Sequence, residues 1–182
     1  MRVLLLGASG QVGRALHPLL GRFGPVSAPT RGELDLTDLA AAERAPAGYE
    51  LVVNCAAWTD VLGAESKADA AWRINAEAPG ALARGALQAG AVLLHVSTDY
   101  VFDGRAAPYA EDAPPAPLNA YGRSKLAGEQ AIGASGCAHL IVRSGWIYSP
   151  HGRNFVRAVL DQLERGAPLQ APLDQFGGPT SA

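Results

Sequence analysis

The stretch Val3-Leu-Leu-Leu-Gly-Ala-Ser-Gly-Gln-Val-Gly13 decides the fold. Val3 to Leu6 is apolar without alternation, as a strand buried on both faces of a parallel sheet reads. Three glycines follow at once. Gly7 permits a tight turn, Gly10 lets backbone approach a diphosphate, and Gly13 lets a helix pack close on the strand. From Gln11 to Leu20 the pattern is helical, and a helix starting there turns free N–H groups toward whatever the turn holds. The spacing is G-x-x-G-x-x-G. A ligand-free strand-to-helix turn is the alternative, but the placement between an N-terminal strand and a helix favours dinucleotide binding.

Working outward, short apolar runs alternate with helical stretches. Val26 to Ala28, Leu51 to Val53, Ala91 to Val96 and His139 to Val142 read as further strands. Ala64 to Gln88, broken near Pro79, Asn119 to Ile132 and Phe155 to Glu164 read as helices. This alternation implies βαβ units and a parallel sheet, hence an α/β, Rossmann-type doubly wound fold. Asp103 to Leu118 carries Pro108, Pro114, Pro115 and Pro117 with no period, as a functional loop does. Residues 1–150 are assigned to a dinucleotide-binding domain. Residues 151–182 are expected to begin a substrate-binding region that the chain does not complete.

The 182 residues carry a formal charge of -2, with no Lys/Arg cluster, so a nucleic-acid surface or a polybasic membrane patch is not expected. The longest early apolar run is far too short to span a membrane. Cys55 and Cys137 make no disulfide framework, and His17, His95, His139 and His151 lack metal-ligand spacing, so no metal site is expected and the cytoplasm is the default compartment. Arg outnumbers Lys 13 to 2, so a lysine within a motif is hard to dismiss as surface filler.

Lys125 stands in such a motif, Tyr121-Gly-Arg-Ser-Lys125. Positions i and i+4 share a helix face, so a phenol and an ammonium can share a site. A free tyrosine titrates near ~10; bringing it to neutrality takes about 4 kcal/mol, which a desolvated cation is expected to help supply. An exposed surface pair is the bland alternative. Ser97-Thr98-Asp99-Tyr100 closes the fourth strand, where the C-terminal strand ends line the crevice, so a hydroxyl there can bond a substrate carbonyl. Past the second strand, Arg31 either grips a 2′-phosphate or is a solvated loop arginine. Asp35 either edges an adenine or starts the turn before Thr37. Trp58 and Trp72 read as packing residues, Cys55 as a buried small hydrophobe, and Asn75 as either a relay support or a packing residue.

With these residues the chain resembles the extended short-chain dehydrogenase/reductases, and more closely the dTDP-4-dehydrorhamnose reductase family. The matching strings include Leu34-Asp-Leu-Thr-Asp38, Val53-Asn-Cys-Ala-Ala-Trp-Thr59, Ser97-Thr-Asp-Tyr-Val-Phe-Asp-Gly104 and Arg143-Ser-Gly-Trp-Ile-Tyr148, with Gly152-Arg-Asn-Phe155 and Asp174-Gln-Phe-Gly-Gly-Pro-Thr180 toward the end. The resemblance implies Tyr121 as general acid to a sugar C4 oxygen, Lys125 as its partner on the nicotinamide ribose, and Thr98 on the C4 carbonyl. It implies that Gly7, Gly10, Gln11, Val12 and Gly13 hold the pyrophosphate, that Asp35 and Leu36 border the adenine, and that Ala56 and Ala57 pass under the cofactor. Thr59, Val61, Asp99, Tyr100 and Trp146 would meet the sugar. The chain departs from the family at Leu62, where an acid is usual, at Trp58, where Tyr or His is usual, and at Cys55, where Ala is usual. The family also continues past the Gly178-Pro179-Thr180 string, so a polypeptide that ended at Ala182 would be expected to bind cofactor but reduce sugar poorly.

The expected activity is hydride transfer from NADPH, with NADH as alternative donor, to the C4 ketone of a dTDP-linked deoxysugar. A homodimer is an open expectation. Two rival readings are another nucleotide-sugar epimerase or dehydratase, and a non-catalytic cofactor-binding regulatory subunit. Asp99 followed by Tyr100, rather than a second acid, weighs against a dehydratase; the intact Tyr121 and Lys125 weigh against the regulatory subunit.

Overall fold

In the computed structural model, which describes residues 1–105, 108–169 and 177–182, strand β1 (Val3–Leu6) is sealed along its length. It lies between β2 (Val26–Ser27) and β3 (Leu51–Asn54). Strands β4 (Val92–Thr98) and β5 (His139–Ser144) complete the sheet in the order β2-β1-β3-β4-β5, every pairing parallel. This is the expected Rossmann-type, doubly wound sheet. The chain leaves β1 for β2 on one side and returns to β3 on the other, so the switch point lies between the C-terminal ends of β1 and β3, where a crevice must open.

Helices α1 (Gln11–Leu20), α2 (Leu39–Arg44), α3 (Val61–Ser66), α4 (Ala68–Trp72), α5 (Ala78–Ala89), α6 (Ala120–Ala134) and α7 (Phe155–Glu164) follow in chain order. Alternate residues of β1 feed opposite faces, as the pleat requires. Leu4 and Leu6 join Val52 and Leu93 against Leu82 and Ala86 of α5 and Ile132 of α6. Val3 and Leu5 join Val53 against Leu16 and Leu20 of α1.

The expected helix over 64–88 is divided differently. It breaks at Lys67, not at Pro79, and Arg73–Glu77 winds as a π-helix between α4 and α5. Pro79 falls in the first turn of α5, directly after the π-helical turn. Helix α2, with Asp38 accepting from the Ala41 N–H at 3.0 Å, was not expected from the pattern. Nor was a second sheet, in which β6 (Trp146–Tyr148) pairs in parallel with β7 (Pro179–Ser181) across α7. Asp174 to Phe176 of the last matching string lie outside the described residues. Trp72 is 45% exposed, so it is not the packing residue expected. Among the described residues no helix is long and apolar enough to cross a membrane.

Candidate active site

At the switch point the glycine turn meets the chain leaving β3. Gly7 has φ +76°, and a Cβ on it would stand 2.7 Å from the Ala56 nitrogen and 2.8 Å from the Cys55 carbonyl carbon. Only glycine satisfies both conditions. A Cβ on Gly13 would drive into the Gly7 carbonyl, so α1 sits directly on the turn. Helix α1 starts after Gly10 with no side-chain cap and no acid in its first turn, so its leading N–H groups remain for an anion. The glycine cradle and uncapped helix end fit a dinucleotide diphosphate.

A cleft of about 1480 Å³ runs from this turn across the strand ends. Gly7, Gly10, Gln11 and Val12 line it, as do Arg31, Asp35, Leu36, Ala56 and Ala57. So do Thr59, Val61, Thr98, Asp99, Tyr100, Tyr121, Lys125 and Trp146. Gly13 stands behind the lining, in the helix–turn contact. Arg31 holds an exposed guanidinium 3.9 Å from Asp35, whose carboxylate accepts from the Thr37 N–H at 2.9 Å. Asp35 therefore both builds the turn and borders the cleft. The Gln11 side chain reaches the far wall, where its Oε1 accepts from Asn154 Nδ2 at 2.9 Å and Ser149 Oγ at 3.2 Å.

Thr98 ends β4 with its hydroxyl donating to Asp99 at 3.3 Å and accepting the Tyr100 N–H at 3.2 Å. Helix α6 opens opposite, fixed by Asn119, whose Oδ1 accepts from the Gly122 N–H at 2.7 Å. Its buried Tyr121, Lys125 and Glu129 follow at one-turn intervals along β4. The Tyr121 ring meets Tyr100 edge-on at 5.7 Å. Glu129 accepts from Ser97 Oγ and takes a forked grip from Arg143, with Nη2 at 2.6 Å and Nε at 3.1 Å.

The Tyr/Lys pair is therefore no exposed surface pair, but its electrostatics differ from expectation. Burial raises the Tyr121 pKa, opposed by the Thr98 hydroxyl and reinforced by Asp99 and Tyr100. The Lys125 nitrogen is seated elsewhere, donating to Val96 O at 2.8 Å and lying 3.0 Å from His95 Nε2. Burial lowers Lys125 to about 8 against the pull of Glu129 and Cys55. Burial likewise raises Asp99, and it pushes the half-buried Cys55 thiol up to about 12. Cys55 thus lines the cleft as an unreactive thiol.

Sequence reasoning gave no role of their own to Asn54, Ser97, Glu129 and Arg143, and weighed His95 only as a metal ligand. Asn75 proves to be a pin: its Oδ1 accepts the Trp58 N–H at 2.9 Å and its Nδ2 donates to Trp58 O and Ser124 Oγ, each at 3.0 Å. Gly128 lies against its backbone carbonyl, where a Cβ would collide. Leu62, at the position where an acid was looked for, is 85% exposed. Among the described residues no cluster of three metal-ligating side chains forms.

The model of the family described as the RmlD substrate binding domain matches residues 1–182. The chain belongs to that family. A dTDP-4-dehydrorhamnose reductase from Burkholderia thailandensis is 42% identical over 185 residues, covering 100% of this chain and 62% of the relative. A dTDP-4-dehydrorhamnose reductase structure from Clostridium acetobutylicum superposes with a TM-score of 0.94 at 38% identity, covering 100% of this chain and 66% of that one. A Bacillus anthracis family structure in complex with NADP gives 0.86 at 34% identity, covering 90% and 60%. This chain thus spans a little under two thirds of the length of these relatives.

Proposed function

We propose that the protein acts as a reductase of dTDP-4-dehydro-L-rhamnose, taking hydride from NADPH, with NADH as alternative donor. Residues 1–150 bind the dinucleotide and 151–182 belong to the sugar side. The observation that carries this reading is that Thr98, Tyr121 and the Gly7–Gly13 turn border one cleft at the switch point of the sheet. The family's reductases and the NADP held by the Bacillus anthracis relative support the choice of substrate and cofactor.

A bound reduced nicotinamide would supply the hydride. The protein's residues do the rest. The long Thr98–Asp99 hydrogen bond is weak enough for an arriving carbonyl oxygen to take the Thr98 hydroxyl over. Tyr121, protonated at neutral pH as a phenol ordinarily is, gives its proton to the same oxygen as negative charge develops there. The raised pKa makes the phenol a weaker acid in the ligand-free cleft, so donation draws on the negative charge developing on the substrate oxygen to pull the proton across. Asp99, Tyr100 and Trp146 flank the sugar together with Thr59 and Val61, and Val61 packs in one cluster with Tyr100 and Tyr121. Incubating the protein with dTDP-4-keto-6-deoxy-L-mannose and NADPH should remove the NADPH absorbance. A constant absorbance with isomerised sugar would instead identify an epimerase, and cofactor binding without conversion a regulatory subunit.

A further inference from the structure

Beneath the cleft runs a line of buried polar atoms that proton donation by Tyr121 does not itself require. Asn54 of β3 and His95 of β4 are register partners, and both are sealed, as is Lys125. The Ala56 N–H donates to Asn54 Oδ1 at 3.1 Å, which turns Asn54 Nδ2 toward His95 Nδ1, also at 3.1 Å. An amide nitrogen only donates, so Nδ1 must accept, and a neutral imidazole then carries its proton on Nε2. That nitrogen faces Lys125 Nζ at 3.0 Å.

An ammonium has three donors and no acceptor, so it would set proton against proton there; an amine has a lone pair and accepts. The other escape, a proton on His95 Nδ1, would oppose the Asn54 amide hydrogens unless Asn54 flipped, and flipping would put its amide against the Ala56 N–H. Burial alone holds His95 neutral, with its pKa well below the usual imidazole range. The groups that bear on Lys125 are His95 from β4, Cys55 beyond β3, and Tyr121 and Glu129 one turn either way on α6. Glu129 is itself already gripped by Arg143 and Ser97.

We propose that His95 is a positioning residue: held in its Nε2–H form by Asn54, it latches Lys125 as a neutral amine, and protonation of that amine breaks the latch and frees the side chain toward the cleft. The proposal rests on the reading of Tyr121 and Lys125 given above. It makes the lysine a group whose charge follows pH, neutral above about 8 and taking up a proton from solvent below it, rather than a standing cation at every pH.

The test uses the ligand-free chain. It has two lysines, the exposed Lys67 and the buried Lys125, so 13C-labelling at lysine Cε gives one reference signal and one reporter. The Lys125 signal should titrate at or below about 8, with Lys67 near the ordinary ~10.4. In 15N-histidine-labelled protein, His95 should show a bare Nδ1 and a protonated Nε2 between pH 6 and 9. His95→Phe removes the donor and should move the Lys125 midpoint up by about one pH unit. Should that variant not fold, Asn54→Asp accepts both the Ala56 N–H and an Nδ1–H, leaves Nε2 bare to receive an ammonium, and should raise the midpoint at least as far. A protonated Nδ1 in the native protein, a Lys125 that stays charged past pH 9.5, or an unmoved midpoint in the folded variant would overturn the latch. None of these readouts involves turnover, so an inactive chain with these protonation states would sink the reductase reading while leaving the latch intact.

Discussion

Gly7 and Ala56 meet backbone to backbone, so close that a single added carbon on Gly7 would lie 2.7 Å from the Ala56 nitrogen. Strand β1's exit and β3's exit are pressed together there, and this contact sets the floor of the dinucleotide cleft. Gly7→Ala is therefore expected to destabilise the protein by at least about 2 kcal/mol, adding a left-handed alanine to a backbone collision. Denaturant unfolding measures the loss. Wild-type stability with unchanged dinucleotide affinity would show that the turn can relax.

Tyr121→Phe keeps the ring that packs on Tyr100 and deletes the acidic hydrogen. Reduction should fall by roughly 10²–10⁴, the usual contribution of a positioned acid, while dinucleotide affinity stays within about twofold. Steady-state rates and a fluorescence titration separate the two.

Arg31 projects an exposed guanidinium at the cleft margin, where among the described residues it makes only a long contact to Asp35, so it is available for a 2′-phosphate. Arg31→Ala should weaken NADPH about tenfold, near 1.4 kcal/mol, and leave NADH unchanged. Calorimetric titration of both nucleotides decides it; equal losses would leave Arg31 a bystander.

Arg143 clamps Glu129, which is 5% exposed, and its guanidinium also lies 5.0 Å from the Phe102 ring. Arg143→Met strands a buried carboxylate and should lose about 3–5 kcal/mol. Adding Glu129→Leu should restore most of it, because the uncompensated charge goes too. A double variant no better than the single one would locate the loss in the contacts with Phe102 and the Glu111 carbonyl.

Lys125 titrates near 8 in the fold against 10.5 when unburied, so above pH 8 the unfolded chain binds more protons and stability rises with pH. Cys55 acts oppositely: its folded pKa of about 12 lies above the ordinary 9.0, so stability falls as pH passes 9. Between pH 8 and 9 the native protein should gain about 0.5 kcal/mol and Cys55→Ala about 1 kcal/mol. Lys125→Met should abolish the rise. Urea midpoints at the two pH values give the sign directly.

What could be read from the sequence was what repeats locally. The unbroken run of β1, the glycines at fixed intervals and the four-residue step from Tyr121 to Lys125 are periodicities, and each survives in the structure within a residue or two. Helix α2 and strands β6 and β7 are too short to show a period. The β6–β7 ladder, moreover, joins segments from opposite ends of a crossover, information no local window contains. His95 and Asn54 looked like strand interior because their significance lies in register: only when Leu51 aligns with Val92 does an amide come to face an imidazole. The phenol's raised pKa was missed because sequence spacing gives the helix face of Lys125 but not the direction of its long side chain, which ends on β4 instead.

Helix α6 also carries its own alignment mark. Phenol, amine and carboxylate succeed one another along a single stripe, each meeting a different partner on the neighbouring strand. A chain that docks this helix one turn out of step would push a negative charge onto a carbonyl seat and strand a guanidinium, so misassembly is opposed by charge as much as by shape. The residues that arm the cleft thereby also proofread how it is put together.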